Sequence, residues 1–119
     1  MTDLQKKRFP ARFFQNEKGT MPVREWLLSL TDEDRRIIGS DIKTAEFGWP
    51  IGMPLCRSLK NQPGLWEVRS RLSGGRIARV FFCAHDGHMV LLHGFEKKTQ
   101  KTPDHEIAVA VKRMKGLKQ

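Results

Sequence analysis

The sequence contains no tyrosine and only two cysteines. The first absence removes the phenol as a proton donor or acceptor in any chemistry the chain performs. The cysteines, Cys56 and Cys83, form no Cys-x-x-Cys pair and have no histidine at ligand spacing. A zinc ribbon and a disulfide framework are therefore excluded, and both read as reduced interior thiols. No apolar run approaches the ~18 residues of a membrane-crossing helix. The opening MTDLQKKRFP lacks the apolar core of a secretory signal, so export is not expected and the chain reads as cytoplasmic. A Walker loop, a GxGxxG after a strand, HExxH, DxDxDG and GxSxG are all missing. Nucleotide hydrolysis, dinucleotide binding, zinc proteolysis, calcium binding and serine hydrolysis are left without support, and neither cofactor nor metal is implied.

Acidic side chains are also scarce. Thirteen Asp and Glu face 22 Lys and Arg, a formal net charge of +9. The surplus is uneven: residues 1–56 carry 9 basic and 8 acidic side chains, residues 57–119 carry 13 and 5. A field concentrated in one half attracts polyanions, nucleic acid first among them, with an acidic protein partner as the alternative. Contacts of that kind weaken steeply with salt.

What is present reads as one domain over residues 1–119, long enough to bury a core without metal or disulfides. RFPARFFQ (8–15) is aromatic with a proline, which suits an edge strand. Val23, Trp26, Leu27 and Leu30 fall at i, i+3, i+4, i+7 behind Pro22 and predict a short amphipathic helix. Thr31 three residues before Asp34 predicts a helix start, with Ile38, Ile42 and Ala45 on its buried stripe and Gly48 and Pro50 ending it. Residues 51–64, with two prolines and two glycines, read as a connecting loop that offers Arg57 or Lys60 to a phosphate.

Three strands with hairpin signals follow. In LWEVRSRL, Trp66, Val68 and Leu72 alternate with Glu67, Arg69 and Arg71, which predicts one core face and one wet face. RIARVFFCA carries Arg79 inside an otherwise apolar strand. HDGH is a tight turn flanked by His85 and His88, and MVLLHGF reads as a strand covered on both sides. In the last helix Thr102 caps, Pro103 occupies the first turn, and Ile107, Ala110, Val111 and Met114 face the core. That use of its stripe argues against a basic membrane-binding segment. The fold class is α+β: an antiparallel sheet of about four strands with an N-terminal helical hairpin and a C-terminal helix.

The covered strand runs without a spacer into Glu96, Lys97, Lys98 and Lys101, near wherever Arg69 and Arg79 of the adjacent strands point. A cluster of cations repels itself, and a bound phosphate would relieve that cost through charge-assisted hydrogen bonds. A solvated strand end explains the lysines equally well.

The stretch LWEVRSRLSGGRIARVFFCAHDGHMVLLHGFEKKTQKTPDHEIAVAVKR, residues 65–113, resembles the HigB-type toxins of the RelE/ParE superfamily, including their phage-derived relatives. Leu-x-Glu-x-Arg, an Arg-Val strand and Leu-x-x-Phe-x-Lys-Lys-x-x-Lys-Thr-Pro recur there in this order. HGFEKKTQKTP is the specific part; the first half agrees in architecture more than in motif. The resemblance implies a RelE/ParE-like fold and the toxin of a type II toxin-antitoxin system. Such a toxin is a metal-independent, ribosome-dependent mRNA endoribonuclease, or mRNA interferase. It implies as partners a helix-turn-helix antitoxin, the ribosome and its mRNA, and operator DNA bound by the toxin–antitoxin complex. No cofactor and no membrane enter.

Cutting RNA without a metal requires a ribose 2′-OH to attack the adjacent phosphate, with a base, a cationic cradle and an acid for the departing 5′-oxygen. Arg79 matches the family's phosphate-holding arginine, Arg69 the basic residue two positions after Glu67, and Lys98 the basic residue after the last strand. With Lys97 they make the cradle, so Arg79→Ala is expected to abolish cleavage in a folded protein. Proton-transfer candidates are His93, Glu67, Glu96, His105 and a lysine loosened by its cationic neighbours. His93 reads equally as a core histidine; His105, in the first helical turn, has its neutral form favoured by the helix dipole. Lys60, Glu67, Arg71, Lys101 and His105 are expected to touch RNA. Several superfamily members use a C-terminal tyrosine that this chain lacks. Two other classes stay open: a ParE-like inhibitor of DNA gyrase and a non-catalytic basic RNA-binding module.

Overall fold

Thr31 does cap a helix, its hydroxyl accepting from the Asp34 N–H at 3.2 Å, and Pro22 does open one. In the computed structural model, which describes residues 6–97 and 103–117, these are α2 (Asp32–Gly48) and α1 (Pro22–Leu28). A third helix, α3, spans Asp104–Gly116. Its N-cap residue is Pro103, which has no side-chain donor or acceptor to offer; Thr102, expected to cap, lies outside the described residues.

The strands are β1 (Ala11–Phe13), β2 (Cys56–Ser58), β3 (Trp66–Arg71), β4 (Ile77–His85) and β5 (His88–Lys97). They form one sheet in the order β1-β5-β4-β3-β2. All neighbours are antiparallel except β1, which pairs in parallel with β5 as an edge strand. The α+β class stands, with five strands where about four were expected. The additional one, β2, lies inside the segment read as a loop. It is three residues long, too short for a period-2 signal, and is held by its register with β3: Cys56 opposite Val68, Arg57 opposite Glu67. The β4–β5 turn has positive φ at both Asp86 (53°) and Gly87 (75°), the primed geometry that matches strand twist.

Apolar side chains divide into two cores, one on each face of the sheet. Val23, Leu27, Ile38, Ile42 and Ala45 of α1 and α2 pack on Val68, Val80, Phe82, Met89 and Leu91. Ile107, Ala110, Val111 and Met114 of α3 pack on Phe81, Cys83, Val90, Leu92 and Phe95. Cys56 and Cys83 are free and buried, one in each core. Burial pushes both thiols up to about 11.

A bulge decides which side chains of β5 reach which core. Phe81 lies opposite His93 but Phe82 opposite Leu91, so Leu92 is the extra residue. The alternation slips by one there. Beyond it, His93, Phe95 and Lys97 share the α3 face with Phe81, Arg79 and Ile77, while Gly94 and Glu96 turn toward α1 and α2. Gly94 is a glycine for a steric reason: a Cβ there would stand 2.4 Å from ring atoms of Trp26. Gly94→Ala is expected to cost about 1–3 kcal/mol, read as a lowered urea midpoint with unchanged slope.

On the same side, Arg76 joins three elements. Its guanidinium donates to both carboxylate oxygens of buried Asp34, at 2.8 and 3.0 Å, and to Glu96 at 3.3 Å. That hydrogen bonding holds Asp34 below the usual carboxylate range and raises Arg76. A carboxylate with a depressed folded pKa contributes stability above its unfolded pKa and loses it as pH falls through the folded one. Asp34→Asn is therefore expected to destabilise the protein at pH 7. In denaturant titrations across pH, the gap from the native chain should close on the acid side of pH ~4.

Candidate functional site

α3 covers only part of its face of the sheet, and the strand ends beyond it carry charge. β3 alternates because one face is core, so Glu67, Arg69 and Arg71 all fall on the other. Register then aligns the neighbours: Arg57 of β2 opposite Glu67, Arg69 directly opposite Arg79, and Arg79 opposite Phe95. Lys97, opposite Ile77, joins this face because of the bulge at Leu92. Among the described residues, five cations from four strands, Arg57, Arg69, Arg71, Arg79 and Lys97, share the surface with one carboxylate.

This face is not wet along its length, as the alternation had suggested. Glu67 is 1% exposed and Arg79 is 5% exposed. A carboxylate or guanidinium so buried is stable only when paired, and these two pair with each other: Arg79 Nη1 donates to Glu67 Oε2. Arg57 Nη2 reaches the same oxygen at 3.2 Å from a more exposed position. Glu67 is thus the internal counter-charge of the cluster, a role the sequence reading, which placed it against RNA, missed. Its cue is positional: Arg79 lies one pair away from Glu67 on the same face. Arg57, named as a loop cation, proves to be a strand residue bound to this carboxylate.

Three buried polar atoms of the cluster have no hydrogen-bond partner among the described residues: Arg69 Nε, Arg79 Nε and Glu67 Oε1. Arg57, Glu67, Arg69 and Arg79 line a recess with Met53, Pro54 and Leu55; at about 20 Å³ it holds about one water. A larger anion must sit at its mouth. Burial lowers the pKa of Arg79, helped by the charges of Arg57 and Arg69 and opposed by Glu67. Burial likewise lowers Lys97, with Arg79 the next cause and Arg57 and Arg69 acting the same way. One field therefore links β2, β3, β4 and β5.

The other expected site residues are placed differently. His93 Nε2 lies 2.6 Å from Glu106 Oε1, and His93 Nδ1 lies 3.5 Å from Arg113 Nη1, which also donates to the Leu92 carbonyl at 2.7 Å. His93 also stacks on Phe95. Both ring nitrogens are engaged, so the imidazole clasps β5 to α3; neither Glu106 nor Arg113 carried a sequence signal for this. His105 is exposed, its Nε2 3.7 Å from Glu106. Arg71 is exposed on β3, beside Arg69 in a second recess with Ile37 and Asp41. Lys60 is exposed on the β2–β3 connection. Glu96 faces the other side of the sheet, held by Arg76. Lys98 and Lys101 lie outside the described residues. Among the described residues, no group of three or more His, Cys, Asp or Glu is placed to hold a metal ion, and no helix is long and apolar enough to cross a membrane.

A family model described as "Phage derived protein Gp49-like" matches residues 25–115, from α1 to the end of α3. A search of curated proteins gives no match.

Proposed function

The chain belongs to the Gp49-like phage-derived family, a family of RelE/HigB-like toxins, and on that premise we propose that it is a ribosome-dependent mRNA endoribonuclease working without a metal. Its counterpart is an antitoxin with a helix-turn-helix domain, whose complex with the toxin binds operator DNA. Residues 1–119 act as one domain in the cytoplasm. The observation that supports this reading is the juxtaposition of Arg69 and Arg79 on adjacent strands, each with a buried Nε donor that has no partner among the described residues. Unpaired buried donors are costly, and phosphate oxygens would satisfy both.

In this proposal the RNA phosphate sits at the mouth of the recess. Arg69, Arg79 and Arg57 receive its charge, which grows as the 2′-oxygen attacks phosphorus and the bond to the 5′-oxygen breaks. Glu67 holds Arg79 in place and keeps the empty site from repelling itself apart. Lys97, loosened by burial and by Arg79, gives its proton to the departing 5′-oxygen. Release of His93 Nε2 from Glu106 frees an imidazole to take the proton of the 2′-hydroxyl. Lys60, Arg71, His105 and, beyond the described residues, Lys98 and Lys101 extend the contact with RNA. This division of labour needs no tyrosine.

A lysine acid works only while protonated, so cleavage is expected to decline on the alkaline side below the ordinary lysine range. Lys97→Arg, whose head group keeps its proton throughout, should retain RNA binding, lose most of the rate and flatten that limb in a single-turnover pH profile. The activity itself is tested by primer extension on a translated reporter mRNA after induction. New 5′ ends support the reading. Growth arrest with intact mRNA and damaged DNA would select the gyrase-inhibiting alternative, and binding of RNA without new ends the non-catalytic one.

A further inference from the structure

Between the cationic recess and α2 lies a second pocket, of about 270 Å³. It exists because β2 begins only at Cys56, opposite Val68. The Arg69 N–H still reaches the Leu55 carbonyl, at 2.8 Å, but among the described residues no strand covers the outer edge of β3 beyond it. The walls are Pro54 and Leu55, Arg69 and Arg71 of β3, and Ile37 and Asp41, which stand one turn apart on the same face of α2. Pro54, Leu55 and Arg69 also line the recess, so the two cavities share a wall.

Asp41 is the uncommitted carboxylate of α2. Asp32 pairs with Arg35, Glu33 accepts from the Ser73 hydroxyl, Asp34 holds Arg76 and Glu46 holds Lys7. Asp41, half-buried, takes part in no ion pair among the described residues, although two arginines line its pocket. Both of its oxygens are left to accept from a ligand.

We propose that this pocket takes a guanine base of the RNA, next to the phosphate held at the recess, and that Asp41 selects it. Unpaired bases are recognised by stacking, on arginine planes as well as on rings, and by hydrogen bonds to their Watson–Crick edge. Arg71 supplies the plane, and Ile37, Pro54 and Leu55 the apolar surroundings. Guanine offers two neighbouring donors, N1–H and the 2-amino group, matched to the two oxygens of one carboxylate. Adenine and cytosine offer a single amino group there and uracil a single ring N–H, each beside acceptors that a carboxylate repels. The inference rests on the recess holding the RNA phosphate, and its test separates the two.

The test measures, by calorimetry on the full chain, the binding of uncleavable 2′-O-methyl trinucleotides UGU, UAU, UCU and UUU. The central base has a phosphate on either side, so strand direction does not matter. UGU is expected to bind at least about tenfold more tightly than the other three. Replacing its guanine by hypoxanthine, which lacks the 2-amino group, should remove most of that advantage in the native chain. In Asp41→Asn, checked for folding by circular dichroism, the ratio of UGU to UUU affinity should fall to about one. Equal affinity for all four, preference for another base, or a guanine preference that survives in Asp41→Asn overturns the proposal. A change in Asp41→Asn that moves all four affinities together does so too, since Asp41 would then act only through its charge. Binding without base preference leaves the recess reading standing, whereas no binding of any trinucleotide sinks the recess and the base pocket together. A chain that prefers guanine but leaves translated mRNA intact keeps the pocket and loses the nuclease.

Discussion

Replacing Glu67 by alanine is expected to lower the free energy of unfolding by about 3–5 kcal/mol, the cost of removing one partner from a buried ion pair. Arg79, 5% exposed, would be left charged beside Arg69 and Arg57 with no carboxylate. Arg57 can swing into solvent; Arg79 cannot. Arg79→Ala is expected to be similarly damaging, because it leaves Glu67, 1% exposed, dependent on Arg57 alone. The sequence suggested that Arg79→Ala would cost catalysis and spare the fold, and the buried pairing reverses that expectation. Urea unfolding followed by the fluorescence of the three tryptophans measures both variants. The double variant Glu67→Leu, Arg79→Met should recover much of the loss, since apolar side chains of similar volume tolerate burial that a single charge does not. Single variants as stable as the native chain would show that the pair is not a structural unit.

Arg69→Ala separates chemistry from folding. Arg69 is half-buried and lies directly opposite Arg79, and like charges facing each other across a strand pair are destabilising. Its removal should leave stability unchanged or slightly higher. Cleavage of a translated reporter should fall by about 10²- to 10³-fold, the effect of deleting one donor aimed at developing transition-state charge. Loss of stability with full cleavage would assign Arg69 to the scaffold and take one of its three guanidinium groups from the proposed cradle.

The sequence carried the elements whose apolar period is long. α2, the stripe of α3 and the β3–β4–β5 meander all announced themselves by spacing and by turns such as Asp86–Gly87. β2 did not, because three residues cannot display a period and its identity comes from pairing with β3. The convergence of Arg69 and Arg79 was legible because both sit at odd positions of adjacent strands joined by a short turn. Lys97 was reached by a route the pattern does not encode. Uninterrupted alternation from Val90 would have sent it to the α2 face with Glu96's present neighbours, and the bulge at Leu92 brings it back. The burial of Glu67 was hidden for a different reason: a charged residue in an alternating strand signals a solvent face unless one knows that its diagonal neighbour is a buried arginine. His93 showed the limit of reading single residues, since its partners Glu106 and Arg113 arrive from a helix more than ten positions away.

The central claim is that the guanidinium groups of Arg69 and Arg79 together meet a phosphodiester. It is tested most directly by following the arginine Nε–Hε resonances of the ¹⁵N-labelled chain during titration with a 2′-O-methyl RNA dinucleotide, which cannot be cut. The claim predicts that the Arg69 and Arg79 signals move together as the dinucleotide saturates, and that the one arginine signal remaining in Arg69→Ala or in Arg79→Lys stays in place to the extent that binding is lost. Saturation of the chain with the two resonances unmoved would contradict it.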